Sequence, residues 1–147
     1  MNARRILVVS LVVAAVAASS AVAALSPAQY RSDAASICKT SKRAIAALGS
    51  PRSGPQIKRF LEQTLPIGVR YTASLRALDP PASLAAPHKR LLAIVVQEVD
   101  LVRAVVAKIH AGADPLQAFN ASSAKGTRLG NAENAQWRIL GVKACVS

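Results

Sequence analysis

The chain has 147 residues, with 19 Lys and Arg against 7 Asp and Glu, and a formal charge of +12. That length holds one domain around one core. With aromatic residues at 3%, the base-stacking surface that single-stranded nucleic-acid binders need is not visible, despite the basic charge.

The first predicted element is a secretory signal peptide over residues 1–24. Met1-Asn2-Ala3-Arg4-Arg5 supplies a positive start, Ile6 to Ala18 an apolar run broken once by Ser10, and Ala21-Val22-Ala23-Ala24 the small residues of a cleavage site. Cleavage is expected after Ala23 or Ala24. The alternative is a retained anchor, because roughly 20 apolar residues span a bilayer and this run nearly reaches that length. Its alanine richness and weakening toward the cut favour cleavage. The expectation is therefore a secreted or extracytoplasmic domain over residues 25–147, with no transmembrane anchor after cleavage. Loss of Arg4 and Arg5 leaves +12 − 2 = +10.

Breakers divide the remainder into four helical segments with three-four apolar spacing and no period-two stretch. The first helix is expected over Ser26–Leu48, with Ser26 as N-cap, Pro27 at the first helical position and Gly49 as the stop. Tyr30, Ala34, Ile37, Ser41, Ile45 and Leu48 share one face; Cys38 lies at its edge. The second helix is expected over Pro55–Leu78, with a kink or break near Pro66, because an interior proline removes a hydrogen bond and clashes with the preceding turn.

The third helix, Ser83–His110, carries the widest stripe, with His88, Leu91, Val95, Val99, Val102, Val106 and Ile109 at three-four spacing, and reads as the most buried. The fourth, Pro115–Leu140, begins at Asp114-Pro115 and ends at Gly141. Gly126, Gly130, Asn131 and Asn134 predict fraying or a bend near Lys125–Asn131. Short connections between four helices imply an all-α, up-down four-helix bundle.

Cys38 and Cys145 are the two cysteines, and an even count in an exported chain reads as a disulfide. Free or intermolecular thiols are the alternative. A bond within the chain would close a loop worth roughly 4.7 kcal/mol of unfolded-state entropy. Its difficulty is geometric. Cys38 lies about eleven residues into the first helix, roughly 16 Å at 1.5 Å per residue. The tail after Gly141 must fold back along the bundle to reach it, or the first helix must start later.

The search for chemistry is negative. There is no G-x-S-x-G, no S-x-x-K, no C-x-x-C-H and no glycine-rich phosphate loop. His88 and His110, 22 positions apart on one helix and so roughly 33 Å apart, cannot share a metal within one chain. Each reads as a surface or helix-end residue. Asp79 and Asp114 read as turn and cap residues, and Glu98 and Asp100 do not share a face, so no acid pair is spaced for acid–base work. No cofactor and no catalytic residue are expected. The sequon at Asn120-Ala121-Ser122 falls in a helix and reads as chance.

The charge leaves one candidate surface. Arg31, Lys39, Lys42 and Arg43 lie on the outer side of the first helix, and Arg52, Lys58 and Arg59 follow. Such a face is drawn to an anionic envelope surface or an acidic protein, though the solvated side of an amphipathic helix looks the same. Export argues against nucleic acid as partner.

Tyr30-Arg31-Ser32-Asp33-Ala34 with Ile37-Cys38, Leu65-Pro66-Ile67, Leu75-Arg76-Ala77-Leu78-Asp79-Pro80-Pro81 and Leu140-Gly141-Val142 before Cys145 together cover most of the domain. In these the chain resembles a group of small secreted helical proteins of actinobacteria-like bacteria. The resemblance implies secretion and a helical fold, and brings no activity or functional residue with it. The expectation is a non-enzymatic binding or structural protein of the cell envelope, or alternatively a small-molecule carrier with an inter-helix pocket.

Overall fold

The computed structural model describes residues 25–147; the expected signal peptide lies outside them. Four helices follow in order: α1 (Pro27–Ala46), α2 (Gly54–Arg76), α3 (Ala82–His110) and α4 (Pro115–Leu140), with a closing 3-10 turn over Lys143–Cys145. No strand occurs among the described residues.

Local chemistry sets the helix ends. Ser26 accepts from the Gln29 amide and Asp114 from the Gln117 amide, each followed by a proline whose missing N–H costs nothing there. α4 ends at Gly141, which adopts φ 74°, and a Cβ there would stand 2.9 Å from Arg31 Nε. Backbone conformation and the approach of Arg31 both require glycine.

Neither expected interruption breaks its helix. α2 runs through Pro66 as one helix, so the proline does not break it. α4 is likewise continuous across Lys125–Asn131. Packing overrides propensity at both places. Gly68 marks where α2 comes close to α3: an added Cβ would lie 3.1 Å from Val99 Cγ2.

The start of α1 (Tyr30), the end of α2 (Leu75), the start of α3 (Leu84, Leu91) and the end of α4 (Trp137, Leu140) share one buried cluster. Successive helices therefore alternate in direction, as an up-down bundle requires. A second cluster at the opposite end joins Ile57 and Leu61 of α2 to Val105, Val106 and Ile109 of α3. There His110 Nε2 stands 2.6 Å from Glu62 Oε1.

α4 packs chiefly on α3 and also on α2, whereas α1 packs on α2 and on the C-terminal tail. The tail reverses at Gly141 and runs back along α1. Arg31 Nε donates to the Leu140 carbonyl at 2.9 Å, Cys38 bonds to Cys145 with Cα atoms 5.4 Å apart, and Lys42 Nζ donates to the carbonyls of Ala144 and Val146, each at 3.1 Å. The geometric difficulty of the disulfide is resolved by the fold-back, while α1 starts where the capping residues place it. No described helix is long and apolar enough to cross a membrane.

Candidate functional site

Between the two apolar clusters lies a polar layer. Tyr71 of α2 donates to Glu133 Oε1 at 2.9 Å, and Trp137 Nε1, one turn further along α4, donates to the same oxygen at 2.9 Å. Glu98 of α3 meets Glu133 from the other side, and the two carboxyl groups share a hydrogen bond. Tyr71 Oη also lies 3.6 Å from Cys38 Sγ, so the layer abuts the disulfide.

A carboxyl–carboxylate contact needs a proton, and burial supplies the reason one stays. Desolvation first, then the charge and hydrogen bond of Glu133, push the Glu98 carboxyl up to about 8. Burial and then the charge of Glu133 also hold the Tyr71 phenol above its ordinary value. At neutral pH the layer keeps a protonated Glu98 beside the doubly donated Glu133.

Beside this layer, α1, α2 and α3 line a cavity of about 200 Å³ that opens to solvent, with Ser41, Thr64, Leu65, Tyr71, Glu98 and Val99 among its walls. Thr64 Oγ1 lines it, is buried, and has no hydrogen-bond partner. A buried hydroxyl left unpaired costs about 1–3 kcal/mol. A neighbouring groove of about 320 Å³ between α1 and α2 shares Ser41 and Tyr71 with the cavity. The polar layer, a cavity and an unsatisfied hydroxyl thus coincide at mid-bundle.

The sequence did not show this acid pair, because Glu98 and Glu133 stand on different helices 133 − 98 = 35 positions apart. A signal was present. Glu98 falls three residues after Val95 and four before Val102, inside the apolar stripe of α3, and Glu133 falls four residues from both Leu129 and Trp137. An acid within a core-facing stripe marks a carboxyl at least partly withdrawn from solvent.

His88 corrects its expectation as a surface or helix-end residue. It is 5% exposed, and the Tyr30 hydroxyl lies 2.8 Å from its Nδ1. Leu84, Leu91 and Val95 on the same face carry it inward. Desolvation lowers its pKa, and Tyr30 is pushed up to about 12 by the same burial. His110 is exposed at the end of α3, as expected.

The seven cationic residues of the expected surface divide. Arg31 and Lys42 spend their polar ends on the C-terminal tail. Lys39, Arg43, Arg52, Lys58 and Arg59 are exposed. Five of the seven acids are engaged elsewhere: Glu98 and Glu133 in the polar layer, Asp114 in the α4 cap, Asp100 with Arg103 and Glu62 with His110, while Asp33 is exposed on α1 itself.

Comparison with family models, with curated proteins and with solved structures gives no match.

Proposed function

We propose that this is an exported, non-enzymatic binding protein of the cell envelope that carries a small molecule between its helices. The coincidence of the mid-bundle cavity with the unpartnered Thr64 hydroxyl and the Glu98 carboxyl carries the reading. Two half-buried carboxyl groups held together between helices carry a desolvation cost in a chain with only 7 acids. The disulfide and the apolar N-terminal run support an extracytoplasmic place of action.

Native mass spectrometry of the protein recovered from its own envelope tests the carrier reading. A bound small molecule is expected, and its loss from Ser41→Phe, which fills the cavity, would assign it there. Recovery of the bare chain, together with no small molecule that shifts its melting midpoint, would overturn the reading.

A second reading is association with an anionic envelope surface through Lys39, Arg43, Arg52, Lys58 and Arg59. It is favoured by the exposure of all five cations while five of the seven acids are taken up in a cap, in pairs or in the polar layer. Binding to vesicles containing anionic lipid should be present at low salt, weaken as salt rises, and vanish in the triple variant K39E/R43E/R52E. No binding at low salt would remove this reading.

A further inference from the structure

We infer that the seam between α1 and α2 seats a strand of acidic glycan, its carboxylates set against Arg70 and Arg59 and its hydroxyls against Ser36, Thr40 and Ser74. The inference rests on the second reading above, the basic surface, and names the partner of that surface.

Charge comes first. α1 and α2 together hold eight Lys and Arg against two acids, Asp33 and Glu62. Arg31 and Lys42 are turned to the tail, which leaves 8 − 2 = 6 cations. Glu62 is paired with His110, and Asp33 stands one turn before Ser36 on α1.

Shape comes next. The groove of about 320 Å³ between α1 and α2 has Ile37, Ala44 and Ile67 as apolar walls, and Arg70 is its only charged side chain. From Ser36 to Ala44 it follows α1 for 44 − 36 = 8 residues, about 12 Å. A second groove, of about 230 Å³, lies at the loop end of the same two helices, with Arg59 as its only charged side chain. Arg59 and Arg70 are 70 − 59 = 11 residues apart, three turns of α2, so they share one side of that helix about 16 Å apart. Each groove offers one guanidinium, able to grip a carboxylate with two parallel N–H bonds, and no acid. A polymer with carboxylates at intervals meets both; a single small anion meets one.

Hydroxyls choose among the polyanions. Ser36 and Thr40 stand one turn apart on α1, and Ser74 one turn beyond Arg70 on α2; all three are exposed and line the groove. Thr72, Ser122 and Ser123 spend their hydroxyls on carbonyls of their own helices, whereas Ser36, Thr40 and Ser74 make no such bond among the described residues. A hydroxyl both donates and accepts, as each sugar hydroxyl does, so the two sets pair in either sense. A lipid surface fits less well. Helices that lie on a bilayer push large apolar side chains into it, and the exposed ones here, Val69, Leu116, Phe119 and Ile139, all lie outside both grooves.

Titration calorimetry of the full domain tests this with three probes: a linear galacturonic-acid oligomer, polyglutamate with the same number of carboxylates, and anionic vesicles. All three are expected to bind at ~20 mM salt, and only the galacturonate oligomer to persist at ~150 mM. The triple variant S36A/T40A/S74A keeps the charge, and alanine suits a helix surface, so the fold is retained. It should weaken oligomer binding about tenfold and leave the other two probes unchanged. R59A/R70A should abolish oligomer binding at ~150 mM salt, whereas K108A/K125A, which removes the same charge from α3 and α4, should leave most of it. Polyglutamate binding as tightly as the oligomer, with the hydroxyl variant silent, would overturn the glycan in favour of an acidic peptide. Equal losses in the two double variants, or vesicles that persist where the oligomer does not, would overturn the seam and leave the basic surface standing. Binding of none of the probes at low salt would remove both.

Discussion

The Tyr30 hydroxyl lies 2.8 Å from Nδ1 of His88, and neither residue is more than 5% exposed. Either partner can donate in this bond, since the hydroxyl turns and the ring has two neutral tautomers, so the contact itself does not set the protonation state. Burial does, and it lowers the His88 pKa. The His88 ring resonances are therefore expected to hold the neutral form well below pH ~6.5, the ordinary histidine value. Tyr30→Phe removes the hydroxyl and leaves Nδ1 buried without a partner, a cost of about 1–3 kcal/mol. Proton NMR titration checks the first statement and denaturant unfolding the second. A His88 resonance that titrates near its ordinary value would refute the buried, neutral assignment.

The Cys38–Cys145 bond spans 107 positions, so reduction releases almost the whole domain as one loop. The chain-entropy estimate for such a loop is about 4.7 kcal/mol, an upper figure because native strain and residual structure subtract from it. Unfolding midpoints in guanidinium, with and without reductant, should differ in that sense. Lys42 holds the carbonyls on both sides of Cys145. Lys42→Ala should cost under about 1 kcal/mol in the oxidised protein, where the bond already holds the tail. In the reduced protein the same change should cost more, because the tail then depends on Lys42 and Arg31. Equal costs in both states would show that Lys42 contributes nothing to docking of the tail.

The helices were legible because period and breakers agree. Ser26-Pro27, Asp114-Pro115 and Gly141 each do what the same residues do at any helix end. Neither Pro66 nor the glycines of α4 break their helices, since contacts from neighbouring helices outweigh a local propensity near 1 kcal/mol for glycine. The disulfide was legible as a pairing, but its route was not, because the reversal at Gly141 is a feature of the whole bundle. The acid pair was hidden for a different reason. Glu98 and Glu133 meet only once α3 and α4 are packed, and each taken alone looks like an ordinary helical glutamate.

Gly141 is tied to Arg31. Any side chain at 141 meets the left-handed backbone penalty of roughly 1–2 kcal/mol and also a Cβ position 2.9 Å from Arg31 Nε. Gly141→Ala should therefore lower the melting midpoint. It should lower it less in an Arg31→Ala background, where the steric part is gone and only the backbone part remains. Additive effects of the two changes would show that Arg31 does not close over the turn.

Glu98 sets the pH dependence of stability. Its folded value near 8 stands above the ordinary 4.5, so between these the folded chain holds a proton that the unfolded chain has released. The stability it contributes is fully present below pH 4.5 and is lost as pH rises through about 8. His88 works in the opposite sense, withdrawing stability as pH falls below its unfolded value. The Glu98 part is isolated by Glu98→Gln, which is neutral at every pH and offers an amide N–H to Glu133. The variant should melt above wild type at pH ~9, where wild type carries two half-buried carboxylates side by side. At pH ~4, where Glu98 is protonated in both folded and unfolded chains, the difference should shrink or reverse. Melting curves of the two proteins across this range give the answer: a difference independent of pH would mean that Glu98 is ionised like any surface glutamate, and the polar layer would then hold no shared proton.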